Sequence, residues 1–217
     1  AKPVVGTVTS GSFDSVEAFK SGIKYFDEIV SVGDFYLSET LNFKRQVYLR
    51  GIQSAGAGSG VQRKTRLFFA DDCCGIIVHR ADTNASNKGV PVIEAATEMA
   101  DGSTLDSIEV RMVTAPDTSD SSEIKGLHGI WLKARAEIRN VSARYFRGNG
   151  LHIVASGTSS DPYKRGNANS VAIEKFLGYD NAGNGHYIEG LDANAGKFEQ
   201  MTCYFNGLHG SHDSALI

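Results

Sequence analysis

Cysteine is scarce in this chain: Cys73, Cys74 and Cys203 are three among 217 residues, and two of them are neighbours that cannot comfortably pair in a strand. A disulfide framework is therefore excluded, and the thiols read as buried and inert. Charge of one sign is lacking too. Lysine plus arginine number 22 against 25 aspartate plus glutamate, a net charge of −3. No run of like charges could track a phosphate backbone, so nucleic acid is not an expected partner. No apolar stretch approaches the roughly 20 residues that span a bilayer, so no membrane insertion is expected. The opening "AKPVVGTV" has neither the charged nor the apolar region of a signal peptide, and its Ala1 reads as a trimmed or engineered start.

Helical periodicity is equally rare. Only "DSVEAFKSGIKYFDEIV", residues 14–30, places apolar side chains (Val16, Phe19, Ile23, Phe26, Val30) at steps of three and four. Asp14 is its expected N-cap, Glu17 completes a box-like start and Gly33 is the expected stop. The remainder of the chain is abundant in short runs of Val, Ile, Phe and Tyr, such as "TRLFFA", "CGIIVHR", "LDSIEVRMV" and "HGIWLKAR", separated by Gly, Asn, Asp and Ser. With 41% hydrophobic residues, one elongated domain over 1–217 is expected, all-β behind one helix.

The strands repeat. Ile138, Val141, Gly148, Gly150 and Ile153 fall on Ile173, Phe176, Gly183, Gly185 and Ile188 at a constant offset of 35 residues. A third copy, "FEQMTCYFNGLHG", places Phe198, Met201 and Asn206-Gly207 in the same roles after about 25 residues, a solenoid-like interval. Stacked strands pair at about 4.8 Å. Asn149, Asn184 and Asn206 are expected to turn the chain in left-handed conformation, helped by the flanking glycines. Strands rather than a helix follow Gly-Asn-Gly, which argues against a phosphate loop.

The stretch "SFDSVEAFKSGIKYFDEIVSVGDFYLSETLNFKRQVYLRGIQSAG", with its helix, strand, "YLS" segment and "VYLRG" strand, resembles the entry to the right-handed parallel β-helix of the pectin-lyase-like superfamily. The resemblance implies a β-helix with an N-terminal amphipathic capping helix (14–30) and coils over 31–217. It also implies a carbohydrate-binding scaffold of the kind found in bacteriophage tailspikes and polysaccharide-degrading enzymes, extracellular or on a virion surface, and in tailspikes a homotrimer. The expected function is binding, and cleavage, of a polysaccharide; as an enzyme the chain would be a glycoside hydrolase or a polysaccharide lyase. Two alternatives stand beside it: a noncatalytic structural or adhesin module, and a bacterial polysaccharide lyase or epimerase unrelated to phage. No capping helix follows the last coil, so the chain is expected to continue in a longer protein or to close its end by self-association.

Long polar connections at 53–64, 81–89, 114–126 and 156–168 recur about once per coil, and a groove between them would suit a polymer. Glycoside hydrolysis uses two carboxylates about 5–9.5 Å apart. The catalytic candidates are Asp161, Asp180 and Glu189, with Tyr163, Lys164, Arg165 and Asp192 as substrate-binding residues. Glu174 and Glu199 are expected as stacked outward neighbours, and Arg135, Arg139, Arg144 and Arg147 as a basic stretch able to hold an acidic sugar. Trp131, Tyr145, Tyr163, Tyr179, Tyr187 and Tyr204 are the aromatic candidates for stacking on sugars. "DDC" at 71–73 is similar to a segment of polygalacturonase-type glycosidases, but the "NTD", "GHG" and "RIK" partners of that pattern are missing, so Asp71 and Asp72 read as a corner. His128, His152, His186 and His209 each follow a turn and read as one repeated structural position. "HGSHD", with His209, His212 and Asp213, is a weak metal pattern. No metal and no cofactor are expected.

Overall fold

A computed structural model describes residues 13–52, 54–55, 62–79, 100–116, 127–155, 166–190, 196–207 and 211–213. They form one short helix, α1 (Val16–Tyr25), and three six-stranded, all-parallel sheets, with a two-residue antiparallel pair, β5 (Ser54–Ala55) and β6 (Gln62–Arg63), beside them.

The first sheet stacks β1 (Glu28–Ser31), β4 (Tyr48–Gly51), β9 (Ser103–Asp106), β12 (Ala136–Arg139), β15 (Ala172–Ile173) and β18 (Lys197–Phe198). The second stacks β2 (Asp34–Leu37), β7 (Thr65–Phe69), β10 (Ile108–Met112), β13 (Val141–Arg144), β16 (Phe176–Tyr179) and β19 (Met201–Tyr204). The third stacks β3 (Leu41–Phe43), β8 (Ile76–Val78), β11 (Ile130–Leu132), β14 (Leu151–Val154), β17 (His186–Glu189) and β20 (Ser211–Asp213). The chain visits first, second and third sheet in turn and then begins again.

The register is the one the repeat predicts. Ile138 pairs with Ile173, Val141 with Phe176 and Ile153 with Ile188, and after the shorter interval Ile173 pairs with Phe198 and Phe176 with Met201. Alternation sends Leu67, Phe69, Leu105, Val110, Ile138 and Leu151 into one continuous core. The glycines that directly precede β8, β11 and β14 are required by crowding. A Cβ on Gly75, Gly129 or Gly150 would lie 2.2, 2.5 or 2.6 Å from the carbonyl oxygen of Gly129, Gly150 or Gly185.

The asparagines work differently from the expectation. Left-handed backbone falls on Ser107, Asn140, Tyr145, Ser170, Asp180, Gln200 and Phe205, not on Asn149, Asn184 or Asn206, nor on the glycines beside them. Those asparagines instead stack by side chain. Asn149 Oδ1 accepts from the backbone N–H of Asn184 (2.8 Å) and from Asn184 Nδ2 (2.9 Å). Asn206 does not continue that column; its Oδ1 accepts from Asn181 N (3.1 Å) and Nδ2 (3.0 Å) in a second one. A buried corner leaves backbone donors without strand partners, and an inward amide oxygen satisfies them.

The helix is shorter than its apolar stripe. It ends at Tyr25, Phe26 is extended (φ −122°, ψ 140°), and Phe26 and Val30 are exposed rather than buried. Pairing of β1 with β4, Val30 opposite Arg50, takes the chain out of the helix, and Gly33 (φ 109°) turns it between β1 and β2 instead of stopping α1. Arg45 Nη1 donates to the carbonyls of Phe26 (3.1 Å) and Ile23 (3.4 Å), which places a cation at the negative end of the helix. Asp14 lies one position too early for the N-cap, yet its Oδ1 accepts from Val16 N (3.0 Å) and Ser38 N (3.3 Å) and ties the helix start to the end of β2. Glu17 pairs with Lys20 (3.2 Å) rather than closing a box. Val16, Phe19 and Ile23 are buried in the core beside β2 and β3, the outermost strands of their sheets, with Phe19 edge-on to Phe35 at 5.3 Å. At the other end Phe198, Tyr204 and Phe205 are exposed.

Candidate functional site

The outward positions of the third sheet bring a carboxylate and buried histidines together. Parallel register aligns Asn42, Ile77, Trp131, His152 and Tyr187 in one outward column. Glu189 pairs with Val154 and stands diagonally from His152 on the next strand. Trp131 faces away from Ile130 and Leu132, as its alternation predicts, but it is covered, with 4% of its surface accessible. Its indole stacks on the His152 ring (5.7 Å, 14°), meets His128 edge-on (5.1 Å) and carries the Lys133 ammonium 4.0 Å above it. Tyr187 meets His152 edge-on at 5.1 Å.

Beneath these rings runs a hydrogen-bonded line. The backbone N–H of Asn149 donates to His128 Nδ1 (3.0 Å), His128 Nε2 lies 2.8 Å from His152 Nδ1, and His152 Nε2 lies 3.0 Å from Glu189 Oε1. Gly148 makes room for it, since a Cβ there would come 2.6 Å from His128 Nδ1. Burial, reinforced by His152 and Lys133, pushes the His128 pKa well below its ordinary value. The Glu189 side chain is 12% accessible, and no hydrogen bond to its Oε2 is found among the described residues.

In chain order, three of the four long connections begin or end at a strand of this sheet. Residues 81–89 and 156–168 belong to connections that leave the third sheet, and residues 114–126 to one that enters it. Residues 53–64 connect a strand of the first sheet to one of the second in chain order and include β5 and β6.

The second sheet carries a different outward stack. The Arg144 guanidinium lies between the rings of Tyr145 (3.9 Å) and Tyr179 (4.4 Å), Arg111 lies over Phe68 (4.9 Å) and Tyr145 (4.7 Å), and Tyr179 stacks on Tyr204 (5.2 Å). Each arginine there has a carboxylate: Asp34 for Arg66, Glu109 for Arg111 at 3.6 Å and Asp180 for Arg144 at 3.3 Å. A charge-balanced stack of this kind is a packed surface with little cationic excess for a ligand.

The sequence candidates are thus divided. Glu189 lies on the third sheet with His152, whereas Asp180 pairs with Arg144 on the second. Asp161, Tyr163, Lys164, Arg165 and Asp192 lie outside the described residues. Glu174 and Glu199 do stack, one step beyond the Ile173–Phe198 pair, on the exposed outer side of the first sheet, where Lys197 neutralises Glu199 (2.9 Å). The four arginines do not form one patch, because Arg139 pairs with Glu137 on the first sheet and Arg144 serves the second. Asp71 is a corner residue, accepting from Thr114 N (3.0 Å). The histidines occupy three different positions: His128 at a corner, His152 outward, and His186 inward, 3.5 Å from Cys203 Sγ. His209 and the side chains of His212 and Asp213 lie outside the described residues.

A cleft of about 310 Å³ between α1 and β3 is bordered by Lys20, Lys24, Lys44 and Arg45. Lys20 is held by Glu17 and Glu39 (2.8 Å), and Arg45 by Asp27 and the helix carbonyls, so this cleft belongs to helix docking. Among the described residues no group of three or more His, Cys, Asp or Glu could hold a metal ion.

Comparisons with protein-family models, curated proteins and solved structures gave no match. The geometry of the site alone carries its reading. His128 and His152, read from the sequence as one repeated structural position, are instead joined in one line with Glu189. The available signal was register: "GLHG" at 126–129 aligns with "RGNG" at 147–150, which puts His128 in the column of Asn149 and Asn184 and turns its ring toward the next strand.

Proposed function

We propose that this chain is a right-handed parallel β-helix of the pectin-lyase-like kind that binds a polysaccharide along the outer face of its third sheet, with Glu189 as the carboxylate that acts on the polymer. Support for the fold comes from the cyclic order of three all-parallel sheets and the helix packed on one end. The observation that carries the function is Glu189 itself. One oxygen is fixed by a buried imidazole, and the carboxyl group stands on the sheet whose strands three of the long connections join in chain order. Long connections over a regular scaffold are where solenoids place binding residues.

A hydrolase needs a second carboxyl group about 5–9.5 Å from the first. Asp161 and Asp192 belong to the connections that follow β14 and β17, the two strands bearing His152 and Glu189, and either would complete the pair. Tyr163, Lys164 and Arg165 lie in the first of these connections and would hold the sugar. The setting that fits is extracellular or on a virion surface, as in a tailspike depolymerase, where three copies would assemble. A second reading, a noncatalytic structural or adhesin module, is favoured by the burial of Trp131 and His152, which makes part of this face an outer layer of packing.

The deciding experiment is a polysaccharide panel followed by product analysis of wild type and Glu189→Gln. Turnover that falls about 10²–10⁴-fold in Glu189→Gln, with binding retained, supports the enzyme. Unsaturated products would select a lyase over a hydrolase, binding without products would select the adhesin, and no binding to any polymer would leave a structural spacer.

A further inference from the structure

The hydrogen-bonded line on the third sheet has a direction, and one atom fixes it. A backbone amide can only donate, so His128 Nδ1, 3.0 Å from Asn149 N, must accept. A histidine with a lone pair on Nδ1 carries its proton on Nε2. His128 Nε2–H therefore donates across 2.8 Å to His152 Nδ1, and His152 Nε2–H donates across 3.0 Å to Glu189 Oε1. The opposite polarity would require His128 to accept on both nitrogens, as an imidazolate.

We propose that His128 is a positioning residue that locks His152 as a neutral Nε2–H donor to Glu189, so that the pair is held as imidazole and carboxylate. A histidine beside a glutamate can ordinarily take a second proton and become imidazolium. Here the site for that proton is filled, because the His128 N–H already points at His152 Nδ1. Nor is the line a proton wire. Its far end is an amide that does not release its proton, so nothing can be passed along it. The only group on the line left to act on a substrate is the Glu189 carboxylate, and its orientation is inherited from Asn149 through two rings. Burial of His128, with 2% of its surface accessible, keeps water from competing for these bonds. As a statement about catalysis this rests on the reading of Glu189 given above; as a statement about protons it does not.

Long-range ¹H–¹⁵N spectra of the histidine rings in the intact protein test it directly. The expected result is that His128 and His152 are both neutral Nε2–H tautomers at neutral pH, and that His128 remains so when the pH is lowered through the ordinary histidine range. In His128→Leu the donor to His152 Nδ1 is gone, and His152 should redistribute between its two tautomers or gain a second proton. In His128→Gln, whose amide N–H reaches the position of the lost Nε2–H, the wild-type His152 signals should return. His152 as an Nδ1–H tautomer or an imidazolium in wild type overturns the proposal, and so does a His152 spectrum unchanged in His128→Leu. Should His128→Leu fail to fold, the wild-type spectrum alone decides. Where a polymer is turned over, His128→Leu should lower kcat on the order of 10²-fold and alter the pH profile, with both restored by His128→Gln. Absence of turnover in wild type would remove the reading of Glu189 and leave the tautomer result to uphold or overturn this inference by itself.

Discussion

Truncating Asn149 to alanine probes whether the corners are held by side-chain amides. Asn149 has no accessible surface, and its Oδ1 accepts both the backbone N–H of Asn184 and the Asn184 side-chain amide at 2.8 and 2.9 Å. Removing that oxygen orphans a buried backbone donor, which costs about 1–3 kcal/mol, and deletes a second bond worth about 1 kcal/mol. The total is about 2–4 kcal/mol. In a chain of 150–250 residues each kcal/mol moves the melting midpoint by about 2–4 °C, so a drop of roughly 4–16 °C is expected. Asn206→Ala removes the like pair of bonds from Asn181 and the two that its Nδ2 donates to the carbonyls of Gly178 and Tyr204, but at a half-buried position where water can replace them, so it should cost less. Thermal melts of both variants, with hydrogen exchange at the Asn184 amide, measure the difference. A wild-type midpoint in Asn149→Ala, or unchanged exchange at Asn184, would refute the assignment of that donor to the asparagine column.

Phe19→Asp places a charge where Phe19 packs against Phe35; loss of the ring alone costs about 3–5 kcal/mol and the unpaired carboxylate adds to it, so no native melting transition is expected, and wild-type melting would sink the role of α1 as a cover. Burial raises the thiols of Cys73, Cys74 and Cys203 to about 12, 11 and 11, so none should react with a thiol reagent at neutral pH until the protein is denatured; a fast reaction in the native protein would contradict this. Stability should also fall in mild acid. Because burial holds the folded pKa of His128 well below 6.5, the unfolded chain binds a proton there that the folded chain refuses. Stability therefore rises with pH up to about 6.5, flattens above, and is lost progressively below; in His128→Gln this slope should shrink, and an unchanged slope would assign it to other groups.

Much of the fold was legible because register is arithmetic. A spacing of 35 residues and then 25 puts Ile138 on Ile173 and on Phe198, and parallel strands realise it without adjustment. The asparagines were misread because a pattern of Asn and Gly at a corner is the same whether asparagine supplies a backbone torsion or a side-chain acceptor. Only the crowding around each corner distinguishes the two, and it gave the torsion to residues as different as Tyr145, Asp180 and Phe205. The helix was read too long because its stripe through Phe26 and Val30 satisfies a local rule, while the competing partner, Arg50 on β4, is distant in sequence. Glu189 could be singled out from its residue type and its place near a corner. His128 and His152 were harder to pair: both sit in register, but they lie 24 residues apart and meet only because the His128 ring leaves its corner toward the outward side chain on the next strand.

The Gly-Asn-Gly segment at 148–150 serves scaffold and site together. Gly148 has no Cβ because His128 occupies that space, Asn149 offers its amide proton to His128 and its side-chain oxygen to Asn184, and Gly150 lets the next corner approach within contact of its own. The position of Glu189 is consequently set twice, by strand pairing of β17 with β14 and by the ring line that starts at the same corner. A constraint applied from two directions holds a carboxylate's orientation more narrowly than strand pairing alone. It also means that substitutions in this segment should reach Glu189 and the fold together. His128, whose side chain joins the corner to the ring line, is the position at which the two effects can be separated.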